Sequence, residues 1–535
     1  MSNKKRKSSA KLKSRREPLA HSQRINLQKS DALSRLAQQA WARQQFDRAI
    51  ALYDDSLRRD PTNPVLIVDL ARAHGLRLHF QAAEELLERA TRLAPQNTRV
   101  RCMIARSYNI IGRPEQAIEH YEQALALDPQ HPETASTLTE LTALYERRHR
   151  LSDARETIER ALRLSPDRED ALFKRALLEV RQGETTAAFS DLRHLTESGG
   201  TSRQVRSDAW YELGKLHDRA GDFDSAMHAF RVAKELLRPL AEKFRSEWKH
   251  VDQKNSQMLA QLTLNHFERW RDAGPAGEKR RLALLTGHPR SGTTLLEQML
   301  DSHTGLVSAD EYLVMSESVY LPLVRSHPLS ASIPDILDGT PAPLLAGLRD
   351  RYWQETEAIL DQPIGDRILL DKNPELTYLL PVIARVFPEI KVFFALRDPR
   401  DVVISCFMQR LPMNAVSLNF LSLEETAAKY AHVMNTWLRI RPLLCCAWQE
   451  VRYEEIVADV ARQADRALKF LDLPWQEGVL DFHKHAQNKR VRSPTYQAVT
   501  QPVYQHAIGR WQNYAKYLEP MMETLQPYLE AFDYQ

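Results

Sequence analysis

Four stretches in the amino-terminal part of the chain share one alternation of apolar and polar positions: RAIALYDDSLRRDP, AAEELLERATRLAP, QAIEHYEQALALDP and DARETIERALRLSP. In each, apolar residues recur three and four places apart, the mark of a helix that buries one face. Ala49, Ala83, Ala117 and Ala154 hold equivalent places, and a larger residue follows four positions on: Tyr53, Leu87, Tyr121 and Ile158. Positions four apart lie on one helix face. The small side chain therefore lets a neighbouring helix approach while the larger one fills the groove beside it. Pro61, Pro95, Pro129 and Pro166 follow these stretches at intervals of 34, 34 and 37 residues, and a proline cannot continue the helix before it. Two weaker copies follow, one around Ala188 and one in AWYELGKLHDRAGDFDSAMHAF, where Gly214, Gly221, Ala226 and Phe230 occupy the corresponding places. The pattern predicts about six helical pairs.

A 34-residue period of helical pairs is that of tetratricopeptide repeats. The expectation is an all-α solenoid over 28–238, with a helical connector over 239–280 that GPAG at 274–277 interrupts. Such arrays bury their core only by stacking and present a concave face to peptides or protein segments. A protein or peptide docked by the array is the expected partner. A spacer or brace for the following domain is the alternative, because no exposed residue set identifies a ligand.

Beyond residue 281 the period changes. Short apolar runs, LALL from Leu282, RILLDK up to Lys372 and KVFFALR up to Arg397, read as buried strands, and each ends at a polar residue. A further short segment, Leu306 to Glu311, ends likewise. Strands alternating with helical stretches predict an α/β domain with a mostly parallel sheet over 281–535. In such sheets ligands bind beyond the carboxyl ends of the strands, so Gly287 to Thr294, Glu311, Lys372 and Arg397 are expected to converge.

The first of these turns, in LALLTGHPRSGTTLLEQM, carries the chemistry. Gly287 and Gly292 are five apart and Thr294 supplies a hydroxyl, so the GxxxxGK[ST] phosphate loop is matched except that Thr293 stands where the lysine belongs. Strand, glycine turn and helix N-terminus aim backbone N–H groups at an anion. Arg290 lies inside the loop, and its planar donors suit an oxyanion without a metal ion. A kinase or NTPase is disfavoured by the missing lysine. In RDPRDVVISCF, Asp398 is placed to cap a helix with Pro399 at its first position, Asp401 adds charge to the first turn, and Ser405 falls on the same face near Arg397. That arrangement suits a second phosphate.

Composition changes this picture little. Of the formal charge of +4, Met1 to Arg16 contributes eight basic residues and no acidic one, which leaves 66 basic against 70 acidic residues elsewhere. A disordered basic tail over 1–27 is expected, without specific nucleic-acid recognition. No apolar run reaches the about 18 residues of a membrane span, and no signal-peptide pattern follows the tail. A soluble, cytoplasmic protein is expected. Cys102, Cys406, Cys445 and Cys446 form no CxxC pair and no metal-spaced cluster, so reduced thiols and no metal cofactor are expected.

Taken together, PRSGTTLLEQML and LRDPRDVVIS resemble the two motifs by which sulfotransferases hold 3′-phosphoadenylyl sulfate. The resemblance spans nearly all of Leu282 to Tyr534. It is nearest in form to the protein-tyrosine sulfotransferases and to repeat-bearing sulfotransferases of bacteria. It implies that Arg290, Ser291, Gly292, Thr293 and Thr294 hold the 5′-phosphosulfate and that Arg397 and Ser405 hold the 3′-phosphate. It also implies Glu311, 21 residues after Arg290, as catalytic base, and Lys372 as the charge that follows another strand. Asp310 competes with Glu311 for the role of base. Tyr453 in VRYEEI matches a tyrosine lining the nucleotide pocket. SPTYQAVTQPVYQHAIGRW is similar to the family's closing loop, with Thr495 where serine is usual and Arg510 where a cation contacts phosphate. Two positions depart from the pattern. Gln409 replaces an arginine assisting the 3′-phosphate, and Leu313 replaces an arginine near the acceptor. The resemblance thus implies sulfuryl transfer from 3′-phosphoadenylyl sulfate to an acceptor hydroxyl, on a protein or peptide, possibly at tyrosine. A glycan, lipid or small-molecule hydroxyl and a non-catalytic nucleotide-binding scaffold remain open.

Overall fold

The computed structural model describes residues 21–43, 45–325, 327–328, 331–411, 413–488 and 507–535. The basic residues Lys4 to Arg16, and Thr495, lie outside them. The chain forms two compact units, Met1–Arg150 and Leu151–Gln535.

In the first unit the described residues form seven helices: His21–Ala42, Phe46–Arg59, Pro64–Leu76, Phe80–Leu93, Thr98–Ile110, Pro114–Leu127 and Thr134–Arg147. The repeat residues behave as their sizes require. Ala49, Ala83 and Ala117 are fully buried, and Tyr53, Leu87 and Tyr121 fill the grooves beside them. Burying each such large side chain contributes about 1.5–3 kcal/mol. Asn63 and Asn97 cap the following helices, their side-chain oxygens accepting from Leu66 N at 3.2 Å and Val100 N at 3.1 Å. The helices stop one or two residues before Pro61, Pro95 and Pro129.

The second unit opens with five more helices of the same kind: Leu151–Leu164, Glu169–Gln182, Thr185–Glu197, Arg203–Arg219 and Phe223–Gln261. Ala154, Ala188 and Ala226 are fully buried, as are Ile158 and Phe230. Gly214 is needed for close approach, since a Cβ there would lie 2.7 Å from the Phe230 ring. The last of these helices is 39 residues long and contains Pro239, so it runs unbroken through position 238, where the array was expected to give way to a connector. A short helix, Leu264–Asp272, follows, and Gly274 and Gly277 take positive φ at the expected break.

Five parallel strands come next, β1 Leu282–Gly287, β2 Leu306–Asp310, β3 Ile368–Lys372, β4 Lys391–Leu396 and β5 Ala447–Arg452, in the spatial order β2-β3-β1-β4-β5. Register places Leu285 beside Lys372, Asp310 beside Lys372, Gly287 beside Ala395 and Leu396 beside Arg452. All five carboxyl ends therefore reach one edge. One face packs Leu285, Leu370 and Phe393 against Leu296, Met299 and Leu300 of the helix Thr293–Asp301 and against Leu468 and Leu471. On the other face Phe394 stacks on Trp437 at 4.1 Å between ring centroids. Trp437 Nε1 donates to Glu450 at 2.6 Å. Among the described residues no helix is long and apolar enough to cross a membrane.

Trp437 is fully buried, so Trp437→Ala is expected to lower unfolding free energy by about 3–5 kcal/mol, read from the shift of the denaturant midpoint at unchanged m-value.

Candidate active site

Strand order decides what meets at the carboxyl edge. The chain runs from central β1 outward to β2 and β3 on one side, then crosses to β4 and β5 on the other, so the turns after β1 and β4 flank the switch point at which α/β sheets take their ligands. The turn after β1 is the glycine loop. Gly287 has φ +149° and a Cβ there would press on the Ala395 carbonyl at 2.7 Å; Gly292 has φ +91° and a Cβ would lie 2.6 Å from the Tyr453 ring. Arg290 also takes the left-handed region, φ +72°. That conformation is uncommon for an arginine and is stored where surrounding structure enforces it.

Toward β4 the loop is tied by side chains. Arg290 Nε donates to Ser405 Oγ at 2.9 Å, and Arg397 Nη1 donates to the Arg290 carbonyl at 3.2 Å. Arg397 stacks over Tyr453 at 4.8 Å from the ring centroid, a cation–π contact. Asp398 caps the helix Pro399–Phe407, accepting from Arg400 N at 2.8 Å. The structure thus brings together Arg290, Gly292, Arg397, Ser405 and Tyr453. The link from Ser405 runs to Arg290, whereas the sequence pointed to Arg397.

This side of the loop offers buried donors to an anion. Ser291 Oγ and Arg397 Nε are buried without a hydrogen-bond partner among the described residues. Buried polar atoms ordinarily find a partner, and the oxygens of a bound anion would accept from both. Thr293 and Thr294, at the start of the helix, are buried beside them.

Toward β3 the site holds a charge cluster. Lys372 is completely buried, and its Nζ lies 2.6 Å from Asp310, 2.7 Å from Glu311 and 3.3 Å from Glu297. Burial alone would lower the lysine's pKa, but Glu297, Asp310 and Glu311 outweigh it and raise the pKa above the ordinary value. The ammonium stays charged. Glu297 and Asp310 are buried, while the Glu311 side chain is 31% exposed. Between the two candidate bases, Glu311 is the one that meets solvent. It follows the end of β2, where its N–H donates to the Lys372 carbonyl at 2.8 Å and its φ is +48°.

One expected residue is not gathered here, and another cannot be placed. Thr495 lies outside the described residues. Arg510 turns its side chain to Asp218, 2.6 Å away on the helix Arg203–Arg219, although its neighbours Gly509 and Trp511 donate backbone N–H bonds to Asp401, both at 2.8 Å. Sequence reasoning missed Glu297, whose signal is a lone charge in the apolar run of TTLLEQML; it also missed the pull of Asp218 on Arg510, for which no local signal exists.

His288, inside the loop, is fully buried, its ring 5.2 Å from that of Tyr430 and its Nδ1 donating to the Pro289 carbonyl at 2.8 Å. Burial pulls its pKa down to about 3; the Pro289 carbonyl opposes this and nearby Lys429 adds to it.

A sulfotransferase-family model matches residues 283–477, and tetratricopeptide-repeat models match 40–107, 99–167, 140–202 and 207–236. An uncharacterized protein of Aquifex aeolicus is 25% identical over 357 residues, covering 63% of this chain and 43% of that protein. Protein-tyrosine sulfotransferase of Drosophila melanogaster is 26% identical over 240 residues, covering 43% of this chain and 46% of that enzyme. Protein-tyrosine sulfotransferase 1 of Homo sapiens is 26% identical over 238 residues, with coverages of 43% and 63%. The matches thus span less than two thirds of each of these relatives. The sulfotransferase domain of an olefin synthase from Synechococcus PCC 7002 is 18% identical, covering 47% of this chain and 97% of that one, at a TM-score of 0.34.

A neutral His288 in the folded protein faces a histidine that protonates near pH 6.5 when unfolded. Its contribution is therefore complete above that pH and is lost as pH falls toward 3, at about 1.4 kcal/mol per unit. Replacement His288→Phe is expected to flatten the decline of the urea midpoint between pH 6.5 and 4 relative to wild type; an unchanged pH slope would contradict the buried neutral assignment. The sulfotransferase-family model thus covers the glycine loop, Arg290 and Lys372, and the tetratricopeptide-repeat models cover helices that precede them.

Proposed function

We propose that this protein is a sulfotransferase that moves the sulfuryl group of 3′-phosphoadenylyl sulfate to an acceptor hydroxyl, on a protein or peptide held by the repeat array. One observation carries the reading: the parallel register brings the glycine loop, the Lys372–Glu311 pair and the Arg397–Ser405–Tyr453 group to one edge of the sheet. The loop amides with Ser291, Thr293 and Thr294 take the 5′-phosphosulfate, and Arg397 with Ser405 takes the 3′-phosphate.

Glu311 accepts the proton of the acceptor hydroxyl as its oxygen bonds to sulfur. Arg290 and Lys372 offset the charge that grows as the bond from sulfur to the bridging oxygen of the bisphosphate breaks. Charge stabilisation and positioning dominate such transfers, as they do in phosphoryl transfer. The cluster around Lys372 adds a coupling. An ammonium has three N–H donors, and here three carboxylates surround them. Once Glu311 is protonated its hold on Lys372 weakens. One donor is then released toward the leaving oxygen, while buried Glu297 and Asp310 keep the lysine in place.

Tetratricopeptide repeats present concave faces to peptide segments, which favours a protein or peptide acceptor over a glycan, lipid or small molecule. Exposed Leu313, two residues from Glu311, offers no charge to an acidic acceptor.

Transfer from labelled 3′-phosphoadenylyl sulfate to a protein and peptide acceptor pool is expected to fall by about 10²- to 10⁴-fold in Glu311→Gln, with binding of adenosine 3′,5′-bisphosphate retained. Full turnover in that variant would remove Glu311 as base. Magnesium-dependent nucleotide hydrolysis by the wild type would overturn the reaction class.

A further inference from the structure

The second unit joins the last repeat helices to the sheet domain through a row of charged contacts. Asp208 pairs with Arg410 at 3.1 Å, Asp224 pairs with Lys516 at 2.6 Å and accepts from Tyr517 at 2.8 Å, and buried Lys234 donates to the Gln409 carbonyl at 3.4 Å. Asp218, like Asp224, holds a cation and a tyrosine, but its side chain is 16% exposed where that of Asp224 is 66% exposed. Asp218 Oδ2 accepts from Arg510 Nη2 and its Oδ1 from Tyr514 OH, both at 2.6 Å. Tyr514 is fully buried and meets Phe223 edge-on, 5.4 Å between centroids.

The segment 507–514 is gripped from its other side by the second phosphate turn. Asp401, buried in the first turn of the helix Pro399–Phe407, accepts from Gly509 N and Trp511 N, each at 2.8 Å. Arg397 Nη2 donates to the Ala507 carbonyl and lies 3.7 Å from Asp401. Gly509 has φ +68°, and the turn it makes lets backbone and side chain point opposite ways. Asp401 thus fixes the amides of this segment while Asp218 fixes its side chains. The guanidinium assigned to the 3′-phosphate is in contact with the same segment.

We propose that Asp218 is a positioning residue for donor recognition: by holding Arg510 and Tyr514 it seats the 507–514 segment against Arg397, so the last repeat belongs to the nucleotide site as well as to the array. The inference rests on the donor reading above and adds a residue from outside the stretch 283–477 that the sulfotransferase-family model matches. Asp218 does not touch the nucleotide. It acts through the segment that Arg397 leans on, so its removal should disturb the 3′-phosphate and spare the 5′ side.

The test uses the full chain and two probes, adenosine 3′,5′-bisphosphate and adenosine 5′-phosphate, titrated by calorimetry. In Asp218→Ala the bisphosphate is expected to bind about tenfold more weakly, the scale of one charged hydrogen bond, while the monophosphate is unaffected. Asp218→Asn, which keeps the volume and one acceptor, is expected to fall between, and stands in if the alanine variant does not fold. Asp224→Ala, cutting the exposed contact on the neighbouring helix, is expected to bind both probes as wild type does. An unchanged ratio of the two affinities in both Asp218 variants would overturn the inference and leave Asp218 as a brace. Wild-type protein that binds neither probe would instead overturn the donor reading itself.

Discussion

The parallel register of five strands is the constraint on which the rest of this molecule depends. Because β1 pairs in parallel with both β3 and β4, Lys372 and Arg397 leave the sheet on either side of the glycine loop. Because β2 pairs in parallel with β3, Asp310 and Glu311 arrive beside Lys372. One residue of slip in either pair would send these side chains to the opposite face. Burial of both faces, by the helix Thr293–Asp301 on one and by Trp437 on the other, is what opposes such a slip. Chemistry at this edge is therefore bought by a hydrophobic core.

The site divides into two halves with different electrostatics. Around β4 and β5 the cations Arg290 and Arg397 gather with Ser405 and Tyr453, buried Asp401 lies 3.7 Å from Arg397, and buried Ser291 Oγ and Arg397 Nε are turned toward no partner among the described residues. Around β2 and β3 one lysine faces three carboxylates. A buried charge is tolerated only when paired. Deleting Lys372 would strand Glu297 and Asp310 without counter-charge, so a loss of activity in its variants mixes chemistry with folding. Glu311 is the better probe of the chemistry, being partly exposed and peripheral to the cluster.

The last repeat helix itself reaches the elements that cover the sheet. The helix Phe223–Gln261 begins with repeat residues Ala226 and Phe230 and continues past Pro239 until its side chains reach Glu425 and His432: Arg245 lies 3.8 Å from Glu425 and Asp252 lies 3.1 Å from His432. Helix continuity and the ion pairs of Asp208, Asp218 and Asp224 make the last repeat a wall of the second unit. Removing the array at position 240 would take that wall away, so such a truncation does not isolate acceptor docking.

Much was fixed by local pattern alone. The repeat period, the buried alanines, the strand-loop-helix around Gly287 and Gly292 and the cap at Asp398 each depend on residues close in sequence, where helical periodicity, steric size and positive φ act directly. The change from apolar to polar residues marked Glu311 and Lys372 at strand ends, and the family resemblance supplied their expected roles. What only the tertiary structure decided are pairings between distant segments: Arg290 with Ser405, Lys372 with Glu297 and Asp310, and Arg510 with Asp218, 292 positions apart. An ion pair leaves no periodic trace in the chain. Arg510 could equally face a phosphate or a carboxylate, and only the helix that packs beside it determines which charge it meets.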